Sequence, residues 1–192
     1  MDNLARTDLP VTELIDGKIY SMSPRPRAGH NFVAANIYRI FANYLDGKSC
    51  TAIMDGMDLF LDEENHYVPD AMIVCDASKI HRDGVHGAPD LVVEVLSPST
   101  MRNDRGAKMQ HYAAAGVKEY WLVTPLGKNV EVYLGHDGQF RLDEVYTEYD
   151  AWDLERMEEE ERHSVRTEIP VSLSDDFHVQ VADIFKGIDK YV

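Results

Sequence analysis

The chain has 192 residues, of which 44% are hydrophobic, and carries a formal net charge of −15 at pH 7. This size and hydrophobic content are typical of one compact domain, whereas the acidic charge argues against tight binding to a polyanion over a broad surface. No run of about 18 apolar residues occurs and the N-terminal sequence lacks a signal-peptide pattern, so we expect a cytoplasmic protein without a membrane span.

The first quarter of the chain predicts a hairpin, a loop and a helix. The segment V-T-E-L-I-D-G-K-I-Y-S-M (11–22) has two short strand-like runs around D-G at 16–17, a strong hairpin signal. S-P-R-P-R-A-G (23–29) is typical of a loop. From His30 to Leu45 the apolar residues recur at helical spacing, and D-G-K (46–48) ends that helix.

The centre of the chain predicts consecutive strands. C-T-A-I-M-D-G-M-D-L-F-L (50–61) indicates a strand interrupted near Asp55 and Gly56, and D-E-E-N-H (62–66) indicates a turn. V-P-D-A-M-I-V (68–74) and P-D-L-V-V-E-V-L (89–96) indicate two further strands. The residues between them, 76–89, are predicted to form a loop or a short helix.

A second helix and three more strands follow. Ser99 or Thr100 is expected to cap a helix that runs to about Ala115 and stops at Gly116. K-E-Y-W-L-V-T (118–124) is rich in aromatic and β-branched residues and predicts a strand. The segments 129–135 and 139–146 predict a hairpin around H-D-G.

The C-terminal part is strongly acidic. Residues 148–176 contain eleven Asp or Glu against three Arg, which accounts for about half of the net charge. Within it, residues 153–163 indicate either a solvated helix or a partly disordered run. Residues 181–188 predict a short amphipathic turn. The acidic charge does not exclude a local basic cleft, because basic residues occur outside this segment, namely Arg25, Arg27, Arg102, Arg105 and Lys108.

We find no internal repeat and no Gly/Ser linker, so we expect a single domain over residues 1–192. The order of elements predicts an α/β or α+β fold, in which helices flank a mixed β-sheet. Cys50 and Cys75 do not form a disulfide framework, and we expect both to be buried free thiols.

The carboxylates in the apolar strands are the residues that most need an explanation, because burying a charge is costly unless it is paired or binds a cation. Side chains alternate between the faces of a strand, so Asp90, Val92 and Glu94 share one face. If the strands of Asp70 and Glu94 are neighbours, both acids converge at one end of the sheet.

Two acids and a strand carbonyl, which we place at Val95, match the oxygen ligands that Mg²⁺ prefers. A bound Mg²⁺ or Mn²⁺ would lower the pKa of a water and neutralise charge on a phosphodiester. The turn after Glu94 can bring Lys108 over the metal to assist the attacking water. Tyr112 lies one helical turn further, on the same face as Lys108.

Each of these residues also has a structural interpretation. Lys108 and Asp104 have the spacing of an i, i+4 surface pair, worth about 0.2–0.5 kcal/mol. Asp70 could cap a strand, and Asp90 is more typical of a turn residue. Tyr120 and Trp121 are expected in the sheet core rather than on a base-stacking surface.

The motifs V-P-D-A-M-I-V, G-A-P-D-L-V-V-E-V-L-S-P-S-T and K-M-Q-H-Y-A-A-A-G-V-K-E-Y-W-L-V, with E-L-I-D-G-K-I-Y-S-M-S-P near the start, resemble the Uma-two family. That family belongs to the PD-(D/E)XK, or restriction-endonuclease-like, nuclease superfamily. The resemblance covers about residues 11–146. It implies an αβββαβ core with hairpin additions, a Mg²⁺-dependent phosphodiesterase site, a DNA substrate and a homodimer.

Under this resemblance Asp70 is the first acid of the motif and Glu94 the second. The motif places a lysine two residues after the second acid, where this chain has Leu96. Some members of the superfamily supply the lysine from the following helix, and Lys108 is the matching candidate. His30 matches a family position and is an auxiliary candidate, as is Glu13, although both also suit purely structural roles.

Three functions remain open from the sequence. The first is a metal-dependent DNA endonuclease that uses Asp70, Glu94 and Lys108. The second is a nuclease fold retained as a binding or assembly module without turnover. The third is a metal-dependent phosphodiesterase on a smaller substrate, which the negative charge would tolerate better.

Overall fold

The structure is a computed structural model and describes residues 12–21 and 27–192. It has a mixed α+β fold built on a six-stranded sheet. The elements of the first half are β1 (Thr12–Ile15), β2 (Lys18–Ser21), α1 (Ala28–Leu45), β3 (Thr51–Met54), β4 (Leu59–Phe60), β5 (His66–Tyr67), β6 (Ala71–Val74), β7 (Val85–His86) and β8 (Leu91–Val95). Those of the second half are α2 (Met101–Asp104), α3 (Ala107–Ala115), β9 (Glu119–Thr124), β10 (Asn129–His136), β11 (Gln139–Thr147), α4 (Ala151–Arg156), α5 (Glu159–Ser164), β12 (Glu168–Pro170), β13 (His178–Gln180) and α6 (Val181–Ile184).

The six-stranded sheet has the order β11-β10-β9-β8-β6-β3. Among the strand pairs of this sheet in the described part of the chain, only β8–β9 is parallel. Helices α2 and α3 form the crossover between these two strands. Taken in chain order, α1, β3, β6, β8, α3 and β9 give the expected αβββαβ core. The restriction-endonuclease-like mixed sheet predicted from the sequence is therefore confirmed.

Apolar side chains cover both faces of this sheet. On one face, α1 and the C-terminal elements pack against Leu91, Val93 and Val95. On the other face, Val92 belongs to a second cluster with Tyr112 of α3 and with residues of the small sheet. Because strand residues alternate, Glu94 points toward the second face, where it meets α3.

The N-terminal hairpin is confirmed and joins a second sheet of five short strands, ordered β2-β1-β5-β4-β7. Asp16 and Gly17 adopt φ angles of 51° and 70°, as a two-residue hairpin turn requires. Residues 11 and 22 of the predicted hairpin, and most of the following loop, lie outside the described residues.

The single helix expected after residue 100 is instead two helices, separated by a turn. Thr100 is the N-cap of α2, and the chain turns at Arg105 and Gly106 before α3 begins. A Cβ on Gly106 would lie 2.7 Å from the carbonyl oxygen of Arg102, so a side chain would not fit at this turn. Gly116 ends α3 in the left-handed conformation, as predicted.

The first part of the acidic segment, residues 151–164, is mostly helical and solvated. Helices α4 and α5 have no buried residue, whereas Ile169, Val179 and Ile184 near the C-terminus belong to the same core cluster as the buried face of α1. None of the helices within residues 12–21 and 27–192 is long and apolar enough to cross a membrane.

The expectation of free thiols is wrong, because Cys50 and Cys75 form a disulfide. Thr51 pairs with Val74 in the β3–β6 ladder, and one further step of that register sets the two cysteines opposite each other. No local pattern predicts this pairing, because β4 and β5 lie between the two strands in the chain.

Candidate active site

Asp70 and Glu94 lie side by side at one end of the six-stranded sheet. Ala71 pairs with Val93 in the antiparallel β6–β8 ladder, and continuing this register by one residue sets Asp70 opposite Glu94. Directly opposite residues share a face with their Cβ atoms about 4.5–5.5 Å apart. Both carboxyl groups are nearly buried, with 9% and 4% exposure.

The contacts of Asp70 fix its orientation. Its Oδ2 atom accepts a hydrogen bond of 2.7 Å from the backbone N–H of Val95 and lies 3.4 Å from Nε2 of His30. His30 comes from the first turn of α1, so this helix and the end of the sheet meet at Asp70. Asp55, at the end of β3, donates its backbone N–H to the carbonyl oxygen of Asp70.

Lys108 lies in a buried cluster of three carboxylates. Its Nζ atom is 2.7 Å from Glu13, 3.1 Å from Glu94 and 3.3 Å from Asp104, and the side chain is 2% exposed. The interpretation of Lys108 and Asp104 as a surface pair is therefore wrong. Their i, i+4 spacing does bring them together, but the turn before α3 directs both into the protein.

Tyr112 completes the contacts of Glu94. Its hydroxyl donates a hydrogen bond of 2.9 Å to Oε1, the same oxygen that Lys108 contacts. Lys108 and Tyr112 thus hold one oxygen of Glu94 from one helical face, as their i, i+4 spacing predicts.

The cluster contains more negative than positive charge. Glu13, Glu94 and Asp104 surround a single ammonium, so two negative charges remain if all are ionised. Burial raises the pKa of Glu94 well above its usual value and also raises that of Asp104, against the opposing effect of Lys108. Burial lowers the pKa of Lys108, but the carboxylates outweigh it and the net shift is strongly upward, so the lysine stays charged.

Asp104 shows the imbalance most directly. Its Oδ1 atom is buried and has no hydrogen-bond partner among the described residues, although Nζ of Lys108 is 3.3 Å away. Burying a carboxylate oxygen without a hydrogen bond lowers the stability of the fold unless a proton or a cation neutralises its charge.

The pKa of His30 is raised although the side chain is largely buried. Burial lowers its pKa, but the hydrogen bond to Asp70 and the charge of Asp70 outweigh it, so the pKa is raised from 6.5. Asp55 is exposed at the edge of the site. Its pKa is raised, first by partial desolvation and then by the negative charge of Asp70.

Tyr67 and His111 lie between the cluster and the surface. The ring of Tyr67 lies 5.5 Å from Nζ of Lys108, and its hydroxyl is 2.5 Å from Nδ1 of His111. On the other side of the imidazole, Nε2 lies 3.2 Å from the exposed Asp16. Tyr67 and His111 thus form one wall of the site.

Sequence reasoning missed four residues of this environment: Asp104, Asp55, Tyr67 and His111. The spacing between Asp104 and Lys108 was visible, but its burial was not. Nothing in the sequence pointed to Asp55, whose role depends on the end of β3 lying beside Asp70.

Other polar candidates lie elsewhere. Asp90 is at the far end of β8 from Glu94, where its carboxylate accepts from the Cys75 N–H and from Lys118, so it is structural. Tyr120 and Trp121 are fully buried in the sheet, as expected.

The donor set of the site fits a hard divalent cation. Within residues 12–21 and 27–192, no group of three or more His, Cys, Asp or Glu is arranged to hold a metal. Mg²⁺, however, usually takes only one or two protein carboxylates and completes its shell with water and phosphate oxygens. Asp70 Oδ1 and Glu94 Oε2 accept no hydrogen bond from the described part of the chain, which leaves one oxygen free on each acid.

The fold and this pair of acids define a restriction-endonuclease-like α+β protein. A crystal structure from Anabaena variabilis, described as a "putative nuclease belonging to DUF820", superimposes with a TM-score of 0.68. The match covers 92% of this chain and 90% of that chain at 23% identity, and it shows the shared fold.

The family is shown by sequence. Residues 2–166 match the Uma2 family model, described as "Putative restriction endonuclease", and the chain belongs to this family. An uncharacterized protein of Synechocystis sp. is 32% identical over 127 residues, which are 65% of this chain. The alignment spans 66% of the length of that relative.

Proposed function

We propose that this protein is a metal-dependent nuclease that hydrolyses phosphodiester bonds in DNA. The observation that carries the proposal is the pairing of Asp70 and Glu94 at the end of the sheet, beside a buried lysine. Membership of the Uma2 family and the likeness to the Anabaena protein support a nuclease as the class of activity.

Asp70 and Glu94, with the backbone carbonyl of Val95, are the residues that would hold Mg²⁺ or Mn²⁺. When bound, such a cation supplies a water of lowered pKa and neutralises charge on the phosphate. Asp70 is held by the Val95 N–H, and Glu94 by Lys108 and Tyr112. These contacts fix both carboxylates before substrate arrives, as catalysis by positioning requires.

Lys108 assists the attack of water through its charge. An ammonium has three donors, and three carboxylates lie within 3.3 Å of this one. The lysine therefore stabilises Glu94 in its ionised form and reduces the negative charge that an incoming phosphate would meet. His30, whose Nε2 lies 3.4 Å from Asp70, is the residue best placed to exchange a proton near the reacting phosphate.

The proposal is tested by incubating supercoiled plasmid and single-stranded DNA with Mg²⁺, Mn²⁺ or EDTA. Wild-type protein is compared with Glu94→Gln and with Glu155→Gln, a control on the exposed helix α4. We expect metal-dependent cutting by the wild type and the control, and none by Glu94→Gln. Equal cutting by all three proteins would reveal a contaminant, and its absence in all of them would count against the proposal.

The net charge of −15 favours one alternative, a metal-dependent phosphodiesterase on a smaller substrate. In that case small phosphodiesters are hydrolysed while DNA binding shows no steep salt dependence. A nuclease fold that serves as a binding or assembly module shows neither activity. We also propose a homodimer, which light scattering coupled to size exclusion would test.

A further inference from the structure

Asp104 is the last residue of α2 and, with Glu119, one of the two most deeply buried acids among the described residues. Glu119 is satisfied by its surroundings, because its two oxygens accept hydrogen bonds from the indole of Trp121 and the backbone N–H of Ser172. The Oδ1 atom of Asp104 has no such partner in the described part of the chain, and the ammonium of Lys108 is 3.3 Å away. Hydrogen bonding therefore does not explain the burial of Asp104.

The backbone of Asp104 is fixed by contacts other than that with Lys108. Its carbonyl oxygen accepts a hydrogen bond of 3.0 Å from the buried hydroxyl of Tyr120, and its N–H donates to the carbonyl oxygen of Thr100 at 3.1 Å. Tyr120 lies on β9, the parallel neighbour of the strand that carries Glu94. Asp104 is thus a fixed carboxylate beside the site.

Asp104 acts on Glu94 through its charge. Among the carboxylates that raise the pKa of Glu94, Asp104 has the largest effect, ahead of Asp70 and Glu13. A negative charge that raises the affinity of a carboxylate for a proton also raises its affinity for a metal cation, because both are attracted to the same oxygens. Oε1 of Glu94 is already hydrogen-bonded, whereas Oε2 accepts no hydrogen bond from the described residues. The charge of Asp104 therefore strengthens an oxygen that is open to a cation.

Asp104 also limits how far Lys108 neutralises Glu94. The three donors of the ammonium face three carboxylates, so its positive charge is shared among them. Without the charge of Asp104, the ammonium would be shared by Glu13 and Glu94 alone, and Glu94 would present less negative charge to a cation. With Asp70, the site has four carboxylates against one lysine, an excess that a divalent cation reduces.

We infer that Asp104 is a positioning residue that sets the affinity of the site for its divalent cation. It contacts neither the cation nor the substrate. It draws the ammonium of Lys108 away from sole pairing with Glu94 and adds its own charge to the field at that acid. The inference rests on the proposed function, in which Asp70 and Glu94 hold the cation, and adds a residue that controls how tightly they hold it.

The test measures metal binding in the absence of DNA. Titration calorimetry gives the Mn²⁺ affinity of the wild type, Asp104→Asn and Asp104→Ser, and urea denaturation follows the unfolding of each metal-free protein. Asp90→Asn is the matched control, because Asp90 is also an acid paired with a lysine, beyond the far end of β8. Four residues of strand place it about 13 Å from Glu94, which exceeds the Debye length at physiological ionic strength.

We expect Asp104→Asn to weaken Mn²⁺ binding by about 10- to 100-fold, and Asp104→Ser by a similar factor. The urea midpoint of metal-free Asp104→Asn should equal or exceed that of the wild type, because one excess buried negative charge is removed while Lys108 keeps two carboxylate partners. The Mn²⁺ affinity of Asp90→Asn should stay within about two-fold of the wild type.

Three results would overturn the inference. The first is an unchanged Mn²⁺ affinity in a folded Asp104 variant; combined with a lower urea midpoint, it would identify Asp104 as a structural residue only. The second is an equal loss of affinity in Asp90→Asn, and the third is an absence of Mn²⁺ binding by the wild type. If Asp104→Asn does not fold, the smaller serine of Asp104→Ser provides the same comparison.

The inference and the proposed function fail separately. If Asp104→Asn loses Mn²⁺ affinity but the wild type cuts no DNA, the role of Asp104 stands and the hydrolysis of DNA is wrong. If the wild type cuts DNA with Mn²⁺ and Asp104→Asn binds Mn²⁺ equally well, hydrolysis stands and the role of Asp104 is wrong.

Discussion

The Oε1 atom of Glu13 lies 2.7 Å from Nζ of Lys108, closer than any atom of Glu94 or Asp104. The same oxygen accepts the backbone N–H of Val68 at 3.2 Å, so the hairpin is anchored at this point. Glu13 belongs to the five-stranded sheet, whereas Glu94 belongs to the six-stranded sheet. A single ammonium therefore joins the two sheets.

Removing that ammonium should destabilise the protein strongly. Lys108→Met keeps most of the side-chain volume but leaves three buried carboxylates without a counter-ion. We expect a loss of about 3–5 kcal/mol in the free energy of unfolding at pH 7, measured by urea denaturation. A loss below about 1 kcal/mol would mean that the cluster is hydrated rather than buried.

The pH dependence of Lys108→Met provides a second check. Without the cation, burial holds the folded-state pKa values of Glu94 and Asp104 above their unfolded values. The folded state then binds more protons, so stability is greatest below about pH 4 and falls as pH rises through the folded-state pKa values. The deficit relative to wild type should therefore grow between pH 4 and pH 8.

Glu94→Gln should separate stability from activity. The amide oxygen can still accept from Tyr112 and Lys108, while one of the excess negative charges is removed. Because burial raises the pKa of Glu94, the wild type loses stability as pH rises through that pKa, and the variant lacks this contribution. We expect the variant to be more stable than wild type by about 1 kcal/mol at pH 7, yet inactive. Matched urea curves at pH 4 and pH 7 test this; a variant less stable at both would contradict it.

The protonation of His30 should depend on Asp70. In EDTA, the imidazole of the wild type should titrate above 6.5, because the hydrogen bond and charge of Asp70 outweigh burial. Asp70→Asn removes that charge and leaves burial, so the pKa should fall. Histidine resonances followed by NMR, with His30→Gln for assignment, measure the change. An unchanged midpoint in Asp70→Asn would show that the two side chains do not interact in solution.

The disulfide should contribute substantially to stability. Cys50 and Cys75 are 25 residues apart, and closing a loop of this size stabilises a protein by about 3–4 kcal/mol. Replacing both cysteines with serine should lower the free energy of unfolding by about this amount, and a reducing agent should bring the wild type to the same value. A thiol assay that finds two free cysteines under non-reducing conditions would contradict the pairing.

Much of the fold could be predicted because local signals agreed with it. The turn at Asp16 and Gly17, the apolar spacing of α1 and the stop at Gly116 each specify a structure within a few residues. The face shared by Glu94 and Val92 followed from strand alternation alone.

The remainder depends on contacts between distant residues. Asp104 enters the cluster because the chain turns at Gly106, and no periodic pattern predicts that turn. The pairing of Cys50 with Cys75 depends on a strand register set across an intervening hairpin. The sequence predicts Glu13 only as an auxiliary candidate, because its contact with Lys108 forms when the two sheets pack together.

The order in which these residues leave the ribosome has a consequence for the cell. Glu13 is synthesised early, whereas Lys108 and Tyr112 follow only after the central strands, so a nascent chain carries acids without their partner. The hydrolytic centre proposed here assembles only when the last of these segments has docked. Incomplete, truncated or misfolded copies would then be harmless to the nucleic acids around them, without any separate inhibitor.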